Sequence, residues 1–158
     1  MTMNVQAGMP NRVVMTLTRI IDAPCATVFK AWVDPKQLMQ WWGPKGFANP
    51  VCEVDVRPGG KMLIHMQAPD GTIYPMTGKY LEVVEPDRLV FNCEAVDLEG
   101  NIQIEELAVV SFEAIGNKTR LTVFADAIGV APIAPSMLRG METGWAQSLD
   151  RLGDAVKV

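Results

Sequence analysis

The sequence predicts an α+β domain in which an antiparallel sheet of about six or seven strands is covered on one face by a long C-terminal helix. From Val51 onward, apolar and polar residues alternate with a period of two, and turn residues interrupt the pattern repeatedly. Two short helical segments precede this region. A segment from about Ser136 to Val156 is amphipathic at helical spacing. Because a sheet with one apolar face needs a cover, this segment is expected to supply it.

The N-terminal part of the domain reads as one strand followed by two short helices. Val13 to Ile21 is rich in β-forming residues that alternate, and Pro24 suits the first turn of a helix. Asp34-Pro35 interrupts that helix, since proline cannot continue it. The second helix carries Trp41-Trp42 and ends at Gly43-Pro44. A helix-break-helix corner is therefore expected beside the sheet.

Alternation also predicts which strand residues face the interior, because successive side chains of a strand point to opposite faces. Turns are expected at Pro58-Gly59-Gly60, Pro69-Asp70-Gly71, Glu85-Pro86-Asp87, Glu99-Gly100-Asn101 and Gly116-Asn117. The predicted inward-facing residues are Met62, Ile64 and Met66, then Leu89, Phe91 and Cys93, then Ala108, Val110 and Phe112, and finally Leu121 and Val123.

The C-terminal helix has an apolar arc with a thin edge. At 100° per residue, an arc of about 100° contains Met137, Met141, Trp145, Leu152 and Val156. Gly144 lies on the edge of this arc, although a glycine costs a helix interior roughly 1 kcal/mol relative to alanine. Two explanations stay open: close backbone packing, or room left for a molecule beneath the helix.

Length and composition indicate one globular domain over residues 12–158, preceded by a flexible tail over residues 1–11. The chain has 158 residues, enough for one domain with a sizeable core, with 49% hydrophobic and 20% charged residues. No apolar run approaches the roughly 20 residues that span a bilayer, so membrane insertion is not expected. The first ten residues do not resemble a secretory signal. The expected location is the cytoplasm.

Charge and metal-ligand patterns exclude two classes of partner. A net charge of −4 gives no basic surface for a phosphate backbone, so nucleic acid is not an expected partner. Cys25, Cys52 and Cys93 form no CxxC pair, and His65 is the chain's one histidine. Neither a metal site nor a cofactor is expected.

Several short motifs, in order, resemble one known family. The motifs are Asp22-Ala23-Pro24, Asp34-Pro35, Trp41-Trp42-Gly43-Pro44, Arg57-Pro58-Gly59-Gly60, Gly78-Lys79-Tyr80, Pro86-Asp87-Arg88-Leu89, Thr119-Arg120-Leu121-Thr122 and Gly144-Trp145. From about Arg12 to its end, the chain resembles the domain family named after the activator of the heat-shock-protein-90 ATPase. That family belongs to the START-like (SRPBCC, birch-pollen-allergen-like) superfamily. The resemblance implies a helix-grip fold, in which a curved sheet wraps round the C-terminal helix and encloses an apolar cavity.

A cavity between the sheet and the C-terminal helix would be the default ligand site. Methionines at several inward positions suit variable apolar contents, although they equally fill an irregular core without a ligand. A small hydrophobic or amphipathic molecule is the expected partner. The predicted ligand-binding residues are Trp42, Met62, Ile64, Met66, Tyr80, Phe91, Cys93, Phe112, Met141, Gly144 and Trp145.

A cavity enzyme of the cyclase or hydrolase type is one alternative, with Glu53, Asp55 and Tyr80 as the reacting groups. Alternation places Glu53 and Asp55 on the solvent face with Arg57, but a bulge near Pro58-Gly59 would reverse that facing. Paired carboxylates beside a pocket could then transfer protons. His65 is out of phase with its apolar neighbours and is a poor candidate for a base.

A chaperone-linked protein-interaction module in a stress response is the second alternative, suggested by the family's name. A homodimer is also compatible with the sequence, because Val90, Val109 and Phe124 fall on the nominal outer face of the sheet. The ligand-binding protein is the preferred interpretation, and catalysis is left undecided.

Overall fold

A computed structural model describes residues 11–157 of the chain. The flexible tail expected over residues 1–11 lies, apart from Asn11, outside the described residues. The strands are β1 (Arg12–Ile21), β2 (Ala48–Val54), β3 (Lys61–Gln67), β4 (Ile73–Val84), β5 (Arg88–Val96), β6 (Ile102–Ile115) and β7 (Lys118–Gly129). The helices are α1 (Cys25–Val33), α2 (Pro35–Trp41), α3 (Ala134–Arg139) and α4 (Met141–Val156).

All seven strands form one antiparallel sheet in the order β1-β7-β6-β5-β4-β3-β2. From β2 to β7, each strand pairs with its successor in the chain, while β1 pairs with β7 and so begins the sheet at the opposite edge. Turns at the predicted glycine and proline positions join these strands. The predicted α+β class and the sheet of six or seven strands are confirmed.

The two short helices begin where the sequence predicts. Pro24 precedes α1, and the Asp34 carboxylate caps α2 by accepting a hydrogen bond of 3.0 Å from the Lys36 amide. Pro35 occupies the first position of α2, where its missing N–H costs nothing. Because α2 ends at Trp41, the following residues Trp42 to Pro44 form a corner that turns back towards the sheet.

The C-terminal segment differs from the single long helix that was expected. It consists of α3 and α4, separated at Gly140, whose amide bonds the Met137 carbonyl at 3.2 Å. The Gly144 amide in turn donates to the Gly140 carbonyl at 2.9 Å and starts the second helix. Since glycine is a weak helix former, a break at this position has a local cause.

The core lies between the inner face of the sheet and the helices α1, α2 and α4. Every strand residue predicted to face inward is buried except Met66, which is half-buried and packs against the same core. Helix α4 contributes Trp145, Ser148, Leu149, Leu152 and Val156. This helix packs against α1, α2 and β1. Large side chains from both layers, among them Trp42, Phe91 and Trp145, pack in this core.

Candidate ligand-binding site

The corner formed by Trp42 to Pro44, directly after the buried Trp41, packs against α4. Trp41 is fully buried, and its indole Nε1 donates to the Ala31 carbonyl at 3.0 Å. Gly43 has a φ of +96°, a conformation that side-chain-bearing residues rarely adopt. A side chain there would also press on the Met66 sulfur, 3.1 Å from its Cβ position. The local sequence thus fixes the shape of the corner.

Helix α4 holds this corner through polar side chains that the sequence analysis did not identify. The Ser148 hydroxyl accepts from the Gly43 amide at 3.0 Å and donates to the Gly144 carbonyl at 2.9 Å. Arg151 Nη1 donates to the carbonyls of Trp42, Gly43 and Pro44 at 3.0–3.1 Å, and its Nη2 donates to Gln40 at 2.9 Å. Partial burial lowers the pKa of Arg151. The corner is therefore fastened to α4.

Aromatic rings fill the space behind the corner. The Trp32 ring stacks near the Trp145 ring, with centroids 6.2 Å apart and planes inclined by 22°. It also meets Trp41 and Phe112 edge-on, at centroid distances of 4.7 and 6.3 Å. The buried Nε1 of Trp32 has no hydrogen-bond acceptor within residues 11–157. Such an unpaired buried donor is uncommon in proteins.

Glu106 is the functional candidate that the sequence analysis missed. It occupies the inner face of β6, between the buried residues Ile104 and Ala108, and is half-buried itself. Its Oε2 accepts from Trp145 Nε1 at 3.0 Å, and its Oε1 accepts from the Cys93 thiol at 3.8 Å. The signal was present in the sequence, because alternation in β6 places Glu106 in phase with Ala108 and Val110.

Small residues flank Glu106 in the row that crosses the sheet beneath α4. Cys93 on β5 and Ala127 on β7 are its direct neighbours, and Gly78 on β4 follows Cys93. A side chain on Gly78 would clash with the Asn92 carbonyl oxygen. Because these residues are short, the Trp145 indole and the Glu106 carboxyl find room above the sheet.

Burial governs the electrostatics of the site. It raises the pKa of Glu106, while the hydrogen bonds from Trp145 and Cys93 act in the opposite direction. The pKa of the Cys93 thiol is raised first by burial and then by the charges of Glu106 and Glu94. Burial also raises the pKa of Tyr80, and that of Cys52 to about 11. Both thiols and the phenol are therefore protonated near neutral pH and suited to packing or hydrogen bonding.

Two of the predicted ligand-binding residues, Met141 and Gly144, lie on α4 and are only half-buried. Met141, one helical turn before Trp145, is half-buried. It packs against the main core beneath α4 and against a smaller apolar cluster at α3. At Gly144, an added Cβ would lie 3.7 Å from Pro44, which is an ordinary van der Waals distance. Close backbone packing therefore does not require a glycine at this position, and the alternative explanation, that room is left beside α4, gains support.

The predicted ligand-binding residues lie on the core side of the sheet or on α4, except Trp42, which directly follows α2. Tyr80 and Phe91 are neighbours on β4 and β5, with ring centroids 6.1 Å apart. The predicted residues with exposure below one tenth are Trp42, Met62, Ile64, Tyr80, Phe91, Cys93, Phe112 and Trp145. Met66, Met141 and Gly144 are half-buried. Their role in binding stays a prediction.

The alternative set of Glu53, Asp55 and Tyr80 is divided by the sheet. Glu53 and Asp55 are exposed, and the Asp55 carboxylate pairs with Arg57 at 2.9 Å, so no bulge turns them inward. They line an open groove of about 810 Å³ whose other charged residues are Lys61, Lys79 and Glu94. Tyr80 faces the core instead. These three residues do not form a common site.

Within residues 11–157, no three potential ligands among His, Cys, Asp and Glu are grouped as a metal ion would require. No helix in that same range is long and apolar enough to cross a membrane.

The antiparallel sheet with a C-terminal helix on its inner face defines a START-like domain of the helix-grip type. The chain matches the family model described as activator of Hsp90 ATPase homolog 1-like protein over residues 22–157. It belongs to that family, which confirms the resemblance seen in its motifs. Among curated protein sequences, none matches the chain.

Solved structures of bacterial proteins show the same fold. A protein from Chromobacterium violaceum is 26% identical, with a TM-score of 0.78 over 95% of this chain and 99% of its own. One from Arthrobacter aurescens is 26% identical, with a TM-score of 0.79 over 90% of this chain and 85% of its own. A Silicibacter pomeroyi protein described as AHSA1 is 23% identical, with a TM-score of 0.74 over 90% and 96%, and shows the fold alone.

Proposed function

We propose that this protein binds a small apolar or amphipathic molecule between α4 and the inner face of strands β3–β6. The observation that carries the proposal is the Glu106 carboxyl group on this otherwise apolar face. It is half-buried and accepts hydrogen bonds from Trp145 and Cys93. A mostly apolar site with a few directed polar groups is the usual composition of a small-molecule pocket.

A purely structural role explains Glu106 poorly. No salt bridge within the described part of the chain involves Glu106. Desolvating a carboxylate without a cation costs several kcal/mol, whereas an apolar residue at the same position would add to the core. Ionisable groups in such settings are more frequent at functional sites than elsewhere.

The core beneath α4 contains several methionines, which also supports a ligand site. Methionine side chains have three rotatable bonds and repack around varied shapes. Met62, Met66, Met76 and Met141 all pack into or against the core beneath α4. Trp32 adds a buried indole N–H that has no hydrogen-bond acceptor within residues 11–157. A ligand entering beside α4 would therefore meet movable apolar groups around a few polar ones.

The test is a titration of the full chain with octan-1-ol, in which two-dimensional amide NMR spectra are recorded at each ligand concentration. We expect saturable shifts at inner-face residues such as Cys93, Glu106 and Trp145. Gly144→Leu should fill the space beside α4 and weaken binding at least tenfold. Thr143→Leu, on the exposed side of the same helix, is the matched control and should change the affinity less than twofold.

Two results would overturn the proposal. One is the absence of saturable shifts at the inner face in the wild-type protein. The other is a Gly144→Leu variant that keeps the wild-type amide spectrum and binds octan-1-ol with unchanged affinity.

A further inference from the structure

We propose that the ligand's polar end is a hydrogen-bond donor, a hydroxyl or an amine, bound by the Glu106 carboxyl group, and that ligands ending in a carboxylate are rejected. This inference rests on the proposed function, since it names the chemical class that the same site would take. It assigns the polar contact to Glu106 on β6 in addition to the residues predicted from the sequence.

The hydrogen bonds of Glu106 leave acceptor capacity free. A carboxylate offers about four lone-pair positions, and each Glu106 oxygen has one protein donor. The Trp145 bond has an ordinary length of 3.0 Å and holds Oε2 in place. The Cys93 thiol at 3.8 Å is a weak donor to Oε1. A hydroxyl or ammonium group of a ligand would bind Oε1 more strongly than this thiol does.

The charges near Glu106 favour a donor and oppose an anion. Glu106 is itself the acidic group on this face, and its charge acts on the neighbouring Cys93 thiol. No lysine or arginine within residues 11–157 forms a salt bridge with Glu106. A ligand carboxylate would bring a like charge into a partly desolvated space with no cation to compensate it.

Trp145 gives the site its orientation. Its indole is nearly buried between the Trp32 and Trp42 rings, with centroids 6.2 and 5.5 Å away. Because the indole N–H is directed at Oε2, the carboxyl group cannot turn freely. The remaining lone pairs of Oε1 are therefore presented in a fixed direction, which is a condition for selecting one polar group over another.

The experiment compares three probes of equal chain length, namely octan-1-ol, octylamine and octanoate, by amide NMR titration at pH 7. In the wild-type protein, the alcohol and the amine should bind at least tenfold more tightly than octanoate. Glu106→Gln removes the charge but keeps an acceptor, so the octanoate affinity should rise to within threefold of the octan-1-ol affinity. Amine binding should fall with the lost charge.

Glu105→Gln is the matched control, because Glu105 is the next residue of β6 and is exposed. It should leave the ratio of the three affinities within twofold of the wild type. Glu106→Leu, which removes the acceptor, should weaken alcohol binding about tenfold. Amide spectra of each variant establish that it is folded.

The outcomes separate this inference from the function on which it rests. If wild-type protein binds octanoate as tightly as octan-1-ol, or if Glu106→Gln leaves the affinity ratio unchanged, the role of Glu106 is wrong while ligand binding stands. If none of the probes binds at the inner face, both proposals fail.

Discussion

At the scale of single residues, Glu106 departs from the pattern of its own strand. The inward positions of β6 otherwise hold apolar side chains, among them Ile104, Ala108 and Val110. Its partners Cys93 and Trp145 lie 13 and 39 residues away in sequence. Their meeting follows from strand pairing and from the position of α4, so the polar centre of the site is a tertiary feature.

The raised pKa of Glu106 predicts how stability changes with pH. A raised folded-state pKa means that folding favours the protonated form of Glu106 more than the unfolded chain does. Below the unfolded-state pKa of about 4.3, Glu106 is protonated in both states, so the difference in the free energy of unfolding between wild-type protein and Glu106→Gln should not change with pH. As the pH rises through the folded pKa, wild-type protein loses stability relative to the variant. Urea denaturation of both proteins between pH 4 and 8 measures this gap.

The control for this prediction is Glu105→Gln, whose stability should follow the wild-type pH profile. A gap between wild-type protein and Glu106→Gln that stays constant across the range would contradict the prediction.

At the scale of elements, two glycines mark the start of α4. Gly140 separates it from α3, and Gly144 lies within its first turn. The sequence predicted one continuous helix because its apolar spacing runs through Gly140 without interruption. Spacing alone does not report the helix propensity of a single residue, and here two weak helix formers lie four residues apart.

Replacing Gly144 by alanine tests why the glycine is there. The added Cβ would make only ordinary contact with Pro44, at 3.7 Å. Since alanine favours a helix by about 1 kcal/mol over glycine, Gly144→Ala should raise the free energy of unfolding by about 0.5–1 kcal/mol. Thermal and chemical denaturation measure the change.

Gly78→Ala is the contrasting variant, because its Cβ would clash with the Asn92 carbonyl oxygen. It should destabilise the protein by more than about 1 kcal/mol. If Gly144→Ala were instead the destabilising change, close backbone packing would be the correct explanation for that glycine.

At the scale of the whole molecule, Arg151 joins the corner after α2 to the C-terminal helix. Its guanidinium binds backbone carbonyls of Gln40, Trp42, Gly43 and Pro44, more than 100 residues away. The Gln40 carbonyl lies in the last turn of α2 and the other three follow it, at a helix end where carbonyls lack partners within the helix. One side chain thus closes the connection between two parts of the fold that also border the proposed site.

Arg151→Met keeps most of the aliphatic stem but removes these hydrogen bonds. Because hydrogen bonds to charged donors contribute about 1.5–3 kcal/mol each and share one side chain here, the expected loss is about 2–4 kcal/mol in total. Equilibrium unfolding in urea measures it. Arg139→Met, at an exposed position of α3, should change stability by less than about 0.5 kcal/mol. Equal effects of the two changes would show that the Arg151 hydrogen bonds contribute little to stability.

The outer face of the sheet bears on assembly. Val90 is buried, and Val109 and Phe124 are half-buried, in a row that runs across β5, β6 and β7. Much of this apolar surface is therefore already covered within one chain. A homodimer stays a prediction from the sequence.

The sequence by itself determined the family, the sheet of antiparallel strands and the inward-facing apolar residues of β3, β5, β6 and β7. It could do so because alternation and turn residues are local properties of the chain. Only the tertiary structure decided that Trp145 meets Glu106, that Arg151 holds the corner, and that the sheet divides Tyr80 from Glu53 and Asp55. These relations join residues far apart in sequence, so they depend on how helices pack across the sheet.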